Sequence, residues 1–317
     1  MKLRELFDLA VKLGIEADPR DRAEVEKVMA KAQKAYDKLD DEDKPFYDAE
    51  RLRNPYSDTR LLLGDDDAEI KKLICGVDME IGEVMLTSML NAQGAGIDLI
   101  MAHHPEGLGL AGLGNLMHMQ EQILADNGVL RSVAEQYMDE RVREVDRSVG
   151  VGNLMRAVDA ARLAGLKMIC VHTPADNFAT KFMTEYLAAE QPETLNDLCK
   201  CIRKLPEYAE STKQGVPPRI VTGSGHTSVG KVLVDFTGGT SGPKEFVREL
   251  REAGISTIVC MHATQGMIDV AKECKLSIVI AGHMASDSLG LNQILDEFEA
   301  RGVEVVAASG LIRVKRK

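Results

Sequence analysis

The sequence predicts an α/β fold, and two observations lead to that prediction. Strand-like apolar runs alternate with helical segments along much of the 317-residue chain. Four of the runs, DLIMA, MICV, TIVCM and SIVIA, are almost continuously apolar, which is typical of strands covered on both faces. We therefore expect sheets flanked by helices, in a chain long enough for one large or two ordinary domains.

The N-terminal part is predicted to be a helical extension. Residues 3–14 carry apolar side chains at helical spacing, and residues 21–41 are highly charged with a sparse apolar stripe. From Lys71 the order becomes strand, helix, strand, in KLICGVD, GEVMLTSMLNAQGAG and DLIMA. We place the extension at residues 1–54 and expect it to be an appendage to the α/β part.

Two lobes are predicted after the extension. A helical stretch over residues 115–165 precedes the strand KMICVH and the helical segment DNFATKFMTEYLAAEQ. The stretch PEYAESTKQGVPP is polar and rich in turn residues, so it is interpreted as the connection to a second lobe. Beyond it, RIVTG, KVLVDF, TIVCM, SIVIA and VEVV are predicted strands, most of them separated by helices. The predicted lobes are residues 55–205 and 206–317.

The charge balance argues against two classes of partner. The chain has 39 basic and 50 acidic side chains and a formal net charge of −11, which disfavours non-specific binding to nucleic acid. Its first residues are too charged for a signal-peptide core, and no window reaches the apolar length of a membrane span. We expect a cytoplasmic protein with no membrane partner.

The histidines are concentrated at the ends of predicted strands. The chain has only seven histidines, and five of them directly follow four similar apolar runs. The other two, His118 and His226, do not follow this pattern. The five that do are His103, His104, His172, His262 and His283.

Imidazoles at such positions predict a metal site. Ligands of parallel α/β sheets collect beyond the carboxyl ends of the strands, and neutral imidazole binds Zn, Fe, Mn or Co. Carboxylates lie nearby: Asp176 is four residues after His172, Asp287 is four after His283, and Glu106 follows the HHP pair. Each single residue also has a simpler interpretation. A histidine can be a hydrogen-bonded core residue, and Asp176 or Asp287 can cap the helix that follows.

Two glycine-rich stretches are open to two interpretations. GSGHTSVG at 223–230 and TGGTSGPKEF at 237–246 could hold a phosphate by their N–H groups, but neither matches a P-loop or dinucleotide motif. Turns are the simpler interpretation.

Taken together, HHP, HTPAD and GHMASD resemble the Nif-three-like family of dinuclear-metal proteins, the type-two GTP cyclohydrolase homologues. SDTRLLLG and CGVDMEIGEV are also similar to segments of that family, and the resemblance runs from about residue 55 to the end. It implies a toroidal homohexamer with metal pairs facing an inner cavity. The metal ligands that the resemblance implies are His103, His104, Asp176, His283 and Asp287.

The sequence departs from the family pattern at two positions. Asp287 stands where the family has glutamate, which shortens the reach of the carboxylate by one methylene. His262 stands where the family more often has aspartate, so it is a supplementary or replacement candidate ligand.

We therefore predict two similar α/β lobes with sheets flanked by helices and a metal site between the lobes. The predicted cofactors are two divalent ions, Zn, Fe, Mn or Co, bridged by Asp176, with Glu106 or His262 as proton carrier. The predicted activity is metal-dependent hydrolysis of a nucleotide-like substrate, because the resemblance implies a purine nucleotide opened at its imidazole ring. Two alternatives remain open: a non-enzymatic metal-handling protein that stores or delivers iron, and an interaction protein with a structural metal.

Overall fold

The computed structural model describes residues 1–316. Among them two short 3₁₀ turns, at Lys44–Phe46 and Ala49–Leu52, precede the first strand. The strands of the described part are β1 (Arg60–Leu63), β2 (Lys72–Gly76), β3 (Leu99–Ala102), β4 (Lys167–Cys170), β5 (Arg219–Thr222), β6 (Val232–Asp235), β7 (Thr257–Cys260), β8 (Ser277–Ile280) and β9 (Glu304–Ala307). The helices are α1 (Leu3–Glu16), α2 (Arg22–Asp37), α3 (Ile81–Ala92), α4 (Gly107–Ala111), α5 (Leu113–Leu116), α6 (Met119–Asp126), α7 (Arg131–Val149), α8 (Arg156–Leu163), α9 (Thr173–Glu190), α10 (Leu195–Lys204), α11 (Pro206–Lys213), α12 (Phe246–Glu252), α13 (Gln265–Cys274) and α14 (His283–Glu299).

The strands form two sheets of similar topology, the first with one additional strand. The first sheet has the order β1-β4-β3-β2-β9 and the second the order β5-β8-β7-β6. In each, an antiparallel edge strand with an irregular register pairs with the first of a set of parallel strands, four in the first sheet and three in the second. The prediction of two similar α/β lobes is therefore confirmed. The parallel strands end at one edge of each sheet, which is where the histidines follow.

The central strands are covered on both faces, as their apolar runs predict. In β3, Leu99 and Met101 belong to one hydrophobic cluster, whereas Ile100 and Ala102 belong to another. Side chains of a strand alternate between faces, so helices must cover both sides of the first sheet. A strand in which apolar and polar residues alternate would instead leave one of its faces in water.

Helices α9 and α14 join the two lobes. In α9, Ala175 packs in the cluster of the first sheet and Met183 in that of the second. Helix α14 does the same in the opposite order, because Leu289 packs with the second sheet and Phe298 with the first. The first turns of both helices therefore have fixed positions relative to both sheets.

Two segments pack differently from the sequence prediction. Helix α1 is no appendage: Leu3, Leu6 and Phe7 are fully buried in the cluster that contains Ile169 of β4. The predicted strand VEVV forms as β9, but it pairs with β2 in the first sheet. The chain therefore returns from the second predicted lobe to the first, while the boundaries at residues 54 and 205 stay predictions.

The predicted connection after residue 205 is partly helical. Pro206 occupies the first position of α11, where its missing N–H is not needed. Tyr208 is fully buried, and its hydroxyl lies 2.8 Å from Oγ of Ser286. This tertiary anchor explains why a segment with turn-like composition forms a helix. Among the described residues, no helix has both the length and the apolar character that crossing a bilayer requires.

Candidate metal centre

Histidine side chains converge where the strands of both sheets end. His103 and His104 follow β3, His172 follows β4, and His283 is the first residue of α14, just after β8. Neighbouring parallel strands end at a common edge, so residues placed directly after them meet. The structure brings together all four of these imidazoles and two aspartates; the groups with ligand atoms within 4.8 Å of one another are His103–His104–His172, His104–His283–Asp287 and His103–Asp176–Asp287.

The two aspartates lie near the starts of helices. Asp176 follows His172 by four residues in α9, and Asp287 follows His283 by four in α14, which places each pair on one helix face. Neither aspartate is the cap of its helix, since the capping positions are His172 and Gly282. Helix capping therefore does not explain these carboxylates.

Asp287 lies at the middle of the cluster. Its Oδ1 is 3.5 Å from Nε2 of His103. Its Oδ2 is 3.7 Å from Nε2 of His104 and 3.6 Å from Nε2 of His283. The shorter side chain of aspartate therefore reaches three imidazoles at this position.

Asp176 lies on the other side of His103. Its Oδ1 is 3.4 Å from Nε2 of His103, and its Oδ2 is 3.6 Å from Nε2 of His172. All of these separations are too long for strong hydrogen bonds but leave room for a cation between the donor atoms.

Three imidazoles are held through their Nδ1 atoms, so that Nε2 faces the aspartates. A bond at one ring nitrogen orients the ring and determines which nitrogen is free to bind a metal. The Nδ1 contacts are His103 with the carbonyl oxygen of Val171 at 3.2 Å, His104 with Oδ1 of Asp78 at 2.7 Å, and His172 with Oδ2 of Asp58 at 2.7 Å.

Several buried atoms of the cluster have no hydrogen-bond partner among the described residues. They are Nε2 of His103, Oδ1 of Asp176 and both carboxylate oxygens of Asp287. With Nδ1 of His103 bonded to a carbonyl, a neutral ring would point its Nε2 lone pair at carboxylate oxygens, which is repulsive. A cation between these atoms removes both the repulsion and the cost of unpaired buried charge. The residues therefore fit a divalent metal.

The pKa values follow from the same electrostatics. Burial opposes protonation of His103, but the carboxylates of Asp287 and Asp176 outweigh it and raise its pKa well above the ordinary value. Burial and the neighbouring His103 lower the pKa of His104 to about 4. For Asp287, burial is outweighed by the imidazoles, which lower the pKa. The carboxylate is thus ionised and His104 neutral at pH 7, as metal ligands must be, whereas His103 must give up its proton when a cation binds between it and the carboxylates.

A cavity of about 270 Å³ opens onto the cluster. The first lobe contributes His104, His172 and Asp176 to its lining. The opposite wall comes from the second lobe, with His283 and the loop after β6. The site predicted between the lobes is therefore accessible to a small molecule.

The fold has relatives among solved structures. The crystal structure of a NIF3 superfamily protein from Sphaerobacter thermophilus aligns with 80% of this chain and 92% of that one, with a TM-score of 0.69 and 22% sequence identity. The chain has the NIF3 fold. No family model matches the chain, and no curated protein is detectably similar to it in sequence. The sequence resemblance and the fold comparison therefore agree.

Two other solved structures align less well with the NIF3 fold of this chain. Reduced HcgD from Methanocaldococcus jannaschii is 16% identical, covers 78% of this chain and 87% of its own, and has a TM-score of 0.48. A protein from Thermus thermophilus, TTHA1606, is 14% identical, covers 82% of this chain and 89% of its own, and has a TM-score of 0.45.

The two catalytic candidates lie in different places on the NIF3 fold. His262 lines the cavity and stacks on His283 at 5.1 Å between ring centroids, and its Nε2 lies 2.8 Å from Oγ of Ser241. His262 is the second residue after the end of β7, just as His104 is the second residue after the end of β3. Glu106 does not line the cavity. Burial, with the nearby carboxylate of Glu80, raises the pKa of Glu106 to about 7.

Three residues of the cluster lie outside the ligand set that the sequence predicts. The sequence places His172 at a strand end without assigning it as a ligand, although its Nε2 faces Asp176. Asp58 and Asp78 orient two of the imidazoles, and only the similarity of SDTRLLLG to the family could have pointed to Asp58. His118 lies away from the cavity and is bonded to Glu121.

Proposed function

We propose that the cluster binds two divalent metal ions. The observation that supports this most directly is the set of unpaired buried atoms on His103, Asp176 and Asp287, because such groups are costly unless a cation joins them. Four imidazoles and two carboxylates exceed the four ligands of a single tetrahedral ion. We assign the ligands as His103, His104, His172, Asp176, His283 and Asp287.

The contacts favour Asp287 as the bridging carboxylate. Its two oxygens face different histidines, His103 on one side and His104 with His283 on the other. In this arrangement His103, His172 and Asp176 would hold one ion. The sequence-based prediction that Asp176 forms the bridge stays untested, and a comparison of the two aspartates decides between them.

The proposed activity is metal-dependent hydrolysis of a nucleotide-like substrate. A structural metal site is closed, whereas a catalytic one keeps positions open to water and substrate, and here the cavity reaches four residues of the cluster. When bound, a metal pair lowers the pKa of water and stabilises developing negative charge. The protein's own part is to orient the imidazoles through Asp58, Asp78 and the Val171 carbonyl, and to keep His262 at the cavity wall for proton transfer.

We also propose that the protein is a homo-oligomer, with the hexamer that the resemblance implies. Helix α3 supports self-association, since Ile81, Met85, Leu86 and Met89 are each 45–59% exposed and form one uncharged stripe. Contact with a second copy of the chain would remove this apolar stripe from water, which favours self-association.

Elemental analysis of purified variants tests the metal pair. We expect about two ions per chain in the parent and in the control His118→Ala. Asp287→Asn keeps the volume but removes the charge between the ions, so both ions should be depleted together, and more severely than in Asp176→Asn. Equal metal content in all four proteins, with circular dichroism unchanged, would exclude the centre.

Hydrolysis is tested separately on the metal-loaded parent. We expect a purine nucleoside triphosphate to be consumed in a chromatographic assay and to persist after chelation of the metal. If the metal-loaded protein leaves such nucleotides unchanged, the metal proposal stands but the proposed hydrolysis of nucleotides is contradicted.

A further inference from the structure

The loop between β6 and α12 forms the cavity wall opposite the metal cluster. Thr237, Gly239, Thr240 and Ser241 line the cavity. Gly239 has no side chain, so its backbone itself meets the cavity. This loop is the stretch TGGTSG, whose composition is compatible with either a phosphate cradle or a turn.

The carbonyl groups of the loop are bound from behind by two helices of the first lobe. The buried Gln120 of α6 donates from Nε2 to the carbonyl oxygens of Gly238 at 2.7 Å and Thr240 at 2.8 Å. Arg141 of α7 donates from Nε to the carbonyl oxygen of Ser241 at 3.0 Å. The loop is therefore held in one conformation by side chains outside it.

The bound carbonyls determine where the N–H groups point. No cis peptide occurs among the described residues, and in a trans peptide the N–H points opposite to the C=O. The N–H groups of Gly239, Ser241 and Gly242 therefore point away from the side chains that hold the carbonyls. None of the N–H groups at 237–242 donates a hydrogen bond within the described part of the chain. Gly238 and Gly239 have φ values of +107° and +88°, which make this turn possible.

Successive free N–H groups in a concave loop form an oxyanion-binding nest. We propose that residues 239–241 bind the phosphate group of the substrate while the metal cluster holds the reacting end. This inference rests on the proposed function and specifies its substrate class as a small phosphate ester. A cavity of about 270 Å³ is at the small end of ligand pockets, which favours a small substrate.

The loop is connected to the metal cluster by a short chain of contacts. Ser241 is bonded to Nε2 of His262, whose ring stacks on His283. The carboxylate of Asp235, at the start of the loop, also lines the cavity and opposes an anion there. Replacement of Asp235 by asparagine should therefore strengthen phosphate binding.

The test uses two glutamines of the same helix. Gln120→Leu removes the donor to two loop carbonyls, whereas Gln122→Leu removes only surface contacts to Asp126 and Arg131. Calorimetric titration with inorganic phosphate measures the effect. For Gln120→Leu the Kd should be at least about tenfold higher, because the loop is no longer held in place and its N–H groups lose charge-assisted hydrogen bonds to the phosphate. For Gln122→Leu the Kd should be unchanged. Equal Kd values for parent and Gln120→Leu, at equal metal content, would overturn the proposal.

A second variant covers the case in which Gln120→Leu fails to fold. Gly239→Ala strains the positive φ and brings a Cβ within 3.2 Å of Cγ of Met117, so it should also weaken phosphate binding. Each titration is repeated on metal-free protein. Loop-dependent phosphate binding that persists in the metal-free protein supports the loop site. If elemental analysis also finds no metal in the parent as purified, the metal proposal fails and the loop site stands. Acetate binding tighter than phosphate would contradict the phosphate assignment.

Discussion

The carboxylate of Asp58 is bonded to His172 and to the neighbouring Thr173 at once. Its Oδ2 lies 2.7 Å from Nδ1 of His172 and 2.7 Å from Oγ1 of Thr173, and the residue is fully buried. This anchor before β1 fixes the imidazole at the end of β4. A carboxylate–histidine pair of this kind orients a metal ligand and raises its basicity.

We predict that Asp58→Asn weakens metal binding without removing any ligand. Loss of such a partner typically costs about 10–100-fold in metal affinity. Competition with a chelator measures the change, and Asp159→Asn is the control because its contact is a surface pair with Arg162. Identical chelator curves for both variants would mean that Asp58 only supports the fold.

Helix α1 should be essential for stability. Phe7→Ala removes a fully buried ring and should lower the free energy of unfolding by about 3–5 kcal/mol. Phe46→Ala, in the same N-terminal segment, alters a side chain that is 89% exposed and should leave stability unchanged. Denaturant unfolding compares the two. Equal unfolding curves would restore the view of residues 1–54 as an appendage.

Asp235 should make stability depend on pH. The cavity walls beside it partly desolvate its carboxyl and raise the pKa to about 6, and it has no ion-pair partner among the described residues. A folded-state pKa above the unfolded one means that stability falls as the pH rises from about 4 to about 6. The Tm of Asp235→Asn should therefore exceed that of the parent at pH 7 and equal it below pH 4. A constant Tm difference across this range would contradict the assignment. The residue is exposed to the open cavity, and this access to water moderates the effect.

The stripe on α3 should control self-association. Met85→Glu places a charge in the middle of the stripe and should reduce the oligomer mass measured by light scattering. Val151→Glu changes a side chain that is 87% exposed outside the stripe and serves as the control. A parent protein that is monomeric at micromolar concentration would contradict the proposed hexamer.

Local pattern predicts eight of the nine strands of the described residues, all but β1, and most of the candidate site. A buried strand needs a continuous apolar run, and parallel strands end at one edge, so histidines after DLIMA, MICV and SIVIA were expected to meet. The structure places His103, His104, His283 and their aspartates together on that basis. The spacing of four residues between His283 and Asp287 likewise follows from helix geometry alone.

Other features depend on contacts between distant parts of the chain, which no local pattern contains. Asp58 reaches His172 across 114 residues of sequence, and Gln120 reaches the loop at Gly238 across 118. The burial of α1 and the pairing of β9 with β2 are also long-range events, because both depend on which apolar surface remains uncovered after the sheets form. Residue patterns therefore predict most of the strands and helices and the chemistry at the strand ends, but not β1 or α11. Which side chains orient that chemistry, and which residues line the cavity around it, depends on packing between segments that are far apart in the sequence, so these features follow only from the folded structure.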